Sequence, residues 1–185
     1  MDADWLSHQF EVSRPRSRAL TYRMLGSYEE ADDAVQETWL RVVQASSTEV
    51  ENLGGWLTTI AARICLDKLR ARKARHESPS STFPSDERSN IDAAPGPEQE
   101  VLIAESIESA LLVVLDRLVP AERVAFVLHD VFAVPFDEIG DIVGKTPTAA
   151  RQLASRARRR VQDRAALEVL PCTGSAASRS KHWRI

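Results

Sequence analysis

Residues 135–160 read PFDEIGDIVGKTPTAARQLASRARRR, and this stretch decides the fold. Its first part predicts a short helix that begins at Pro135 and ends at Gly144. Thr146 and Pro147 are typical of the cap and the first residue of a second helix. Two helices separated by a tight glycine-containing turn, the second strongly basic, are typical of a helix-turn-helix. The pattern favours DNA binding, and the alternative is a helical hairpin with a solvated basic face.

The second helix of this motif, expected over about residues 147–166, carries the candidate DNA contacts. Outward positions in its first turns can reach base edges in the major groove, where Arg pairs with guanine and Gln with adenine. These positions are Thr148, Arg151, Gln152 and Ser155. Other cations are expected to bind phosphates, which position a protein without reading sequence. They are Lys145, Arg156, Arg158 and Arg159.

The sequence before the motif continues the helical pattern. Apolar spacing predicts two more helices, and the second opens at Pro120, where a missing amide costs nothing. Their expected inward positions are Ala104, Ile107, Leu111, Val114, Leu115 and Leu118, then Val124, Val127, Leu128 and Val131. These helices and the motif form a predicted domain over residues 98–166, and residues 167–185 form a tail that we expect to be disordered.

Residues 77–97 separate this domain from the first part of the chain. They hold four prolines, five serines and few large apolar side chains, which is typical of a flexible linker. A connection of about 20 residues without its own elements is also too long for the interior of one compact domain. We therefore expect an all-α protein of two small helical domains, residues 5–76 and 98–166, joined by a flexible linker.

The first domain is predicted to hold three helices. One covers about residues 5–25, a second follows the capping box at residues 27–30, and a third covers about residues 56–74 after a loop that includes Gly54 and Gly55. The buried stripes are Ala31, Val35, Trp39 and Val42 in the second helix, and Leu57, Ile60, Ala61, Ile64 and Cys65 in the third. Charge is segregated: residues 27–51 hold seven acids and one arginine, whereas residues 56–76 hold six lysines and arginines and one acid.

Several stretches together resemble a known family. The first half of sigma domain 2 is resembled by residues 18–26 (RALTYRMLG) and 31–41 (ADDAVQETWLR). Its promoter-melting half is resembled by residues 55–60 (GWLTTI) and 65–70 (CLDKLR). Sigma domain 4 is resembled by residues 120–123 (PAER), 126–132 (FVLHDVF) and 135–139 (PFDEI). In this order and spacing they resemble an extracytoplasmic-function sigma factor. The resemblance implies a protein that binds core RNA polymerase and directs promoter-specific initiation at −10 and −35 elements, without enzymatic activity.

The resemblance also assigns sites. The acidic helix face would dock on the coiled coil of the polymerase β′ clamp through Asp32, Asp33, Gln36 and Glu37; the alternative from the residues alone is a solvated acidic face. The basic helix of the first domain would hold the melted −10 element through Arg63, Asp67, Lys68, Arg70 and Lys73, with Arg72 and Arg75 as further phosphate candidates. Trp56 in this helix is interpreted as a packing residue rather than a base-stacking platform. The helix-turn-helix would read the −35 element, and the polymerase β flap and an anti-sigma protein are further candidate partners.

Within this family, residues 149–160 (AARQLASRARRR) resemble a subgroup with a SnoaL-like α+β extension at the C-terminus. About 20 residues follow the basic helix, which is too few for such a domain. We therefore expect the extension to be missing, and regulation by it cannot be carried over.

Other classes of protein are disfavoured. The chain has no P-loop, nucleophile elbow or HExxH motif, its four histidines are scattered, and Cys65 and Cys172 lie far apart, so we expect no catalysis, metal site, cofactor or small-molecule substrate. It has no signal-peptide pattern and no apolar run long enough to span a bilayer, which predicts a cytoplasmic protein. The alternative function is a helix-turn-helix regulator that acts without polymerase.

Overall fold

In a computed structural model of the chain, residues 3–45, 52–75 and 110–169 are described, and within these ranges every element is helical. The helices are α1 (Ala3–Leu25), α2 (Tyr28–Gln44), α3 (Leu53–Arg75), α4 (described over 110–116), α5 (Pro120–Phe126), α6 (Phe136–Val143) and α7 (Pro147–Val169). A π-helical turn, Val127–Val131, extends α5. The predicted all-α fold is confirmed. The predicted linker and most of the predicted tail lie outside the described residues, as do Ala104, Ile107 and Cys172.

None of the described helices combines the length and the apolar character that a bilayer crossing requires.

The first three helices begin and end at residues whose local chemistry explains the boundary. Gly26 ends α1 with a φ of +80°, a conformation that glycine adopts without a steric penalty. Ser27 caps α2 by accepting a hydrogen bond from the Glu30 amide. The Glu30 carboxylate contacts Arg72 of α3, so it does not close the predicted capping box.

Helix α3 begins earlier than the sequence predicted. Gly54 and Gly55, which we placed in a loop, lie in its first turn, because the Asn52 side chain accepts a hydrogen bond of 3.0 Å from the Gly55 amide. Asn is a strong capping residue, so Asn52 three positions before Gly55 is the signal that was missed.

The helix-turn-helix forms as predicted. Gly144 ends α6 in the left-handed conformation, at φ 70° and ψ 44°. The Thr146 hydroxyl accepts from the Ala149 amide at 3.2 Å and Pro147 begins α7. Gly140 lies against the turn, where an added Cβ would be 2.7 Å from the Lys145 carbonyl oxygen. A side chain at position 140 would therefore separate α6 from the start of α7.

One predicted core residue points outward. Val131 is 36% exposed, whereas Val127 and Leu128 are buried. The π-helical turn causes this, since its wider hydrogen bond from the Phe132 amide to the Val127 carbonyl rotates the following residues relative to an α-helix. The regular spacing used for the prediction therefore fails at position 131.

The two halves of the chain pack against each other. A single cluster of buried apolar side chains includes Leu20 and Ala61 from the first half and Leu115 and Ile139 from the second. A smaller cluster around Phe10 consists of first-half side chains only, and Ile60 packs against both clusters. The described residues therefore form one body with a shared core.

Candidate polymerase and nucleic-acid interfaces

The outer face of α2 carries the predicted docking residues. Asp33 and Gln36 are exposed, and in the described part of the chain no ion pair engages Asp33. Asp32 binds Arg18 of α1 with an Nε–Oδ1 distance of 2.7 Å, and Glu37 binds Arg41 one turn later at 2.6 Å. Both pairs are largely exposed, so they are weak and a cationic partner can compete for these carboxylates.

This face continues into an apolar surface that the sequence prediction missed. Leu40 is 59% exposed and lies seven residues after Asp33, on the same side of the helix. Val43 is also exposed. Leu40 is an apolar residue on the polar face of an amphipathic helix, and this departure from the pattern could have identified it from the sequence. The α2 face thus offers carboxylates at one end and apolar surface at the other.

The predicted −10 residues lie along one cationic side of α3. Arg63, Asp67, Arg70 and Lys73 are exposed, and Lys68 is half-buried. Asp67 is 3.9 Å from Arg70, which leaves the arginine available to another anion. Trp56 is partly buried and packs against the cluster around Phe10, as predicted.

This side of α3 adjoins the second half of the chain. Arg63 Nη2 is 3.5 Å from the Asp141 carbonyl oxygen of α6, and Arg70 and Lys73 line a groove together with Val119 and Pro120. In this conformation the second half therefore borders the surface that was predicted to bind DNA.

Arg72 does not belong to that surface. Its side chain is only 14% exposed, binds the Glu30 carboxylate and donates a hydrogen bond of 3.3 Å to the Leu25 carbonyl at the end of α1. A helix C-terminus favours such a cation. The expectation that Arg72 binds a phosphate is at odds with these partners within the chain.

The predicted −35 residues occupy the start and outer side of α7. Lys145, Thr148, Arg151, Gln152, Arg156 and Arg159 are exposed, and Ser155 is half-buried. Their inward neighbours Ala150, Ala154 and Ala157 are completely buried, which fixes the side that faces solvent. The structure brings these seven residues to one surface.

Two other arginines of α7 have partners within the chain. Arg158 binds Asp130, with an Nη2–Oδ1 distance of 2.7 Å, and Arg160 binds the buried Glu122 of α5. The expectation that Arg158 binds a phosphate is at odds with this pairing. Within the described residues no ion pair involves Arg156 or Arg159, which leaves them as the stronger phosphate candidates.

Two family models and several known proteins match this chain. The family model Sigma-70 region 2 matches residues 10–75, and the model Sigma-70, region 4 matches residues 108–161. The chain is 30% identical to RNA polymerase sigma factor CarQ of Myxococcus xanthus, over 83% of this chain and 85% of CarQ. It is 44% identical to ECF RNA polymerase sigma factor SigJ of Mycobacterium tuberculosis, over 86% of this chain and 51% of SigJ. The chain belongs to the sigma-70 family, in its extracytoplasmic-function group.

Solved structures of sigma factors have the same fold. The crystal structure of Mycobacterium tuberculosis SigJ matches with a TM-score of 0.60 and 42% identity, over 88% of this chain and 55% of that one. The sigma factor RpoE of Bartonella quintana, in complex with the anti-sigma factor NepR, matches with a TM-score of 0.59 over 89% of this chain and 97% of that one. RpoE is 22% identical, so this likeness concerns the fold alone.

The sigma-70 family member described here spans about half the length of SigJ, the curated relative with which it shares 44% of residues. Sigma factors are DNA-binding regulatory subunits of RNA polymerase rather than enzymes.

Proposed function

We propose that this chain binds core RNA polymerase and directs promoter-specific transcription initiation by recognising −10 and −35 elements. The observation that carries the proposal is the presence of three charged faces on one small helical chain: the acidic face of α2, the cationic side of α3 and the cationic side of α7. A DNA-binding regulator that acts alone accounts for the cationic faces, whereas a polymerase subunit also gives the acidic face a partner.

The docking surface in this proposal is the outer face of α2. Asp33 and Gln36 would contact an arginine-rich surface directly, and Asp32 and Glu37 would join by exchanging Arg18 and Arg41 for partner cations. Leu40 would add apolar contact at the same interface. The coiled coil of the polymerase β′ clamp is the partner that the family resemblance suggests.

The −35 surface in this proposal is the outer side of α7. Arg151 and Gln152 would read base edges, with Thr148 and Ser155 beside them. Lys145, Arg156 and Arg159 would bind phosphates and give the binding a steep salt dependence.

The −10 surface in this proposal is the cationic side of α3. The phosphates of the melted strand would be held by Arg63, Lys68, Arg70 and Lys73. Asp67 lies on the same side of the helix as these cations. Both DNA contacts can be individually weak, because polymerase would hold the two halves in register on one promoter.

Further partners follow from the same proposal. The polymerase β flap would contact the second half of the chain, and an anti-sigma protein would bind it as NepR binds the RpoE of similar fold. The proposed site of action is the cytoplasm, where the polymerase works.

Run-off transcription tests the proposal. Purified chain and core polymerase are incubated with a library of linear templates in which the −35 and −10 regions are randomised, and the templates that give transcripts are sequenced. The proposal expects enrichment of two elements separated by a fixed spacer. Selection of duplexes by the chain without core polymerase, and no transcripts with it, would instead support the polymerase-independent regulator.

A matched pair of arginines tests the assignment of the −35 phosphates. Arg159→Ala should weaken binding about equally on all sequences and lower the slope of log affinity against log salt by about 1. Arg158→Ala removes an equal charge from the adjacent position, but it breaks the pair with Asp130, so it should mainly lower stability. Equal salt slopes for wild type and Arg159→Ala would contradict the assignment.

A further inference from the structure

Helix α7, the second helix of the helix-turn-helix, carries one arginine that contacts an aromatic ring in the absence of DNA. The Arg151 guanidinium carbon lies 5.2 Å from the centroid of the Phe136 ring, within the range of a cation–π interaction. Phe136 is the first residue of α6, so the contact joins the two helices of the helix-turn-helix. Among the described residues Arg151 makes no ion pair that would compete with this contact.

Phe136 is itself fixed from two directions. It is partly buried and packs against the shared apolar core. The His129 ring stacks on it with centroids 3.9 Å apart and planes at 29°, and His129 Nδ1 lies 3.1 Å from the Val134 carbonyl oxygen, to which it donates a hydrogen bond. A ring anchored in this way restricts the motion of a guanidinium that rests on it.

This restriction has a consequence for reading DNA. An exposed arginine populates many rotamers and loses that freedom when it forms two parallel hydrogen bonds to guanine. A side chain that is already ordered loses less, and the gain applies only to the base that the ordered guanidinium can reach. Restriction of a base-reading side chain therefore raises selectivity between bases more than it raises overall affinity.

We propose that Phe136 is a positioning residue that orders Arg151 for base recognition in the −35 element. The proposal rests on the proposed DNA-reading role of α7 and adds to it a residue that does not itself touch DNA.

The contact can be observed without any DNA. A guanidinium over an aromatic ring experiences a ring-current shift, so the side-chain proton signals of Arg151 should lie upfield in the wild type. They should stay there in Phe136→Tyr and move to ordinary positions in Phe136→Leu, which keeps an apolar side chain without a π face. Identical Arg151 signals in wild type and Phe136→Leu would overturn the contact.

The functional test uses the full chain with core polymerase and the randomised template library. Arg151→Ala should abolish base preference at one or two −35 positions. Phe136→Leu should reduce preference at those same positions by about two- to fivefold, the range expected for an exposed cation–π contact, and Phe136→Tyr should restore it. In the Arg151→Ala background, Phe136→Leu should change nothing further at those positions.

Two outcomes would overturn the positioning role. One is a wild-type preference in Phe136→Leu at the positions that depend on Arg151. The other is a loss of base preference on Phe136→Leu substitution that is equal at all positions and is the same in the wild-type and Arg151→Ala backgrounds. That result would indicate a purely structural role for Phe136. If no transcripts form even with the wild type, the proposed function fails, and the same variants are then compared by duplex selection with the full chain alone. Absence of any Arg151-dependent base preference there would also end the proposal for Phe136.

Discussion

The Arg123 guanidinium of α5 donates a hydrogen bond of 3.3 Å to the backbone carbonyl oxygen of Arg23, in the last turn of α1. The same guanidinium binds Asp116 at 3.2 Å and is only 2% exposed. Burial lowers the pKa of Arg123 to about 10, and Asp116 opposes this effect. Arg123 stays charged at neutral pH because its pKa remains far above 7, so a buried cation of the second half binds the helix end of the first.

Loss of the Arg123 cation should destabilise the closed arrangement, in which the two halves of the chain pack against each other. We expect Arg123→Met to lower the free energy of unfolding by about 1–3 kcal/mol, because it removes the hydrogen bonds that Asp116 and the Arg23 carbonyl accept from the guanidinium. Urea unfolding followed by circular dichroism measures the change. Arg117→Met removes an exposed cation nearby and should have a much smaller effect. Equal stability of the two variants would contradict this role of Arg123.

Binding to a promoter should separate the two halves. Arg63 contacts the Asp141 carbonyl, and −10 and −35 elements lie about two duplex turns apart, or about 70 Å. The 21 residues of the predicted linker, 77–97, can span up to about 70 Å when extended, so chain length permits the separation.

Energy transfer between dyes on the two halves measures this opening. Cysteines introduced at the exposed Ser7 of α1 and the exposed Arg117 between α4 and α5, in a Cys172→Ser background, would carry the dyes away from the proposed binding faces. Transfer should be high in the free chain and fall when core polymerase and promoter DNA are added. Active transcription with unchanged energy transfer would show that the closed arrangement persists on DNA.

Gly140 should be essential for the geometry of the helix-turn-helix. An alanine there would place its Cβ 2.7 Å from the backbone carbonyl of Lys145, which cannot move without shifting the turn. We expect a loss of about 1–3 kcal/mol in thermal unfolding together with weaker duplex binding. Gly144→Asn is the control, because nothing lies within 4 Å of its Cβ and Asn tolerates the left-handed conformation. A fully stable Gly140→Ala variant would refute the close approach.

The buried thiol of Cys65 should make stability depend on pH in the alkaline range. Burial raises the pKa of Cys65 from 9.0 to about 12, so the folded chain keeps the proton that the unfolded chain loses. This contribution is complete below pH 9 and declines by about 1.4 kcal/mol per pH unit as pH rises from 9 towards 12. The difference in unfolding free energy between wild type and Cys65→Ala should therefore shift with pH in this direction. A constant difference from pH 8 to pH 10.5 would contradict it.

Local signals were sufficient to predict the helix-turn-helix from the sequence. Gly144, Thr146 and Pro147 each act within one turn of their own position, so their effect is readable without tertiary information. The orientation of Val131 was predicted incorrectly because a π-helical turn changes the helical period. The shared core was not predicted, because composition indicates where a chain can be divided into domains but not which of their surfaces pack together.

The sequence was sufficient to predict which face of a helix carries the candidate site residues, but not which of them form ion pairs within the chain. Helical periodicity identified which residues of α7 face outward, and the structure has them there. It could not distinguish Arg158 from Arg159, because the partner of Arg158 lies 28 residues away on another element. It could not reveal the partners of Arg72 either, because they come from α1 and α2.

The most direct test of the account is the equilibrium affinity of the labelled full chain for purified core RNA polymerase at moderate ionic strength. We expect saturable one-to-one binding, and Asp33→Ala combined with Glu37→Ala should weaken it at least tenfold, or by about 1.4 kcal/mol. Glu11→Ala combined with Asp163→Ala removes the same charge from exposed positions on other helices and should bind like the wild type. No binding by the wild type, or equal binding by both double variants, would contradict the docking role of α2 on which the account depends.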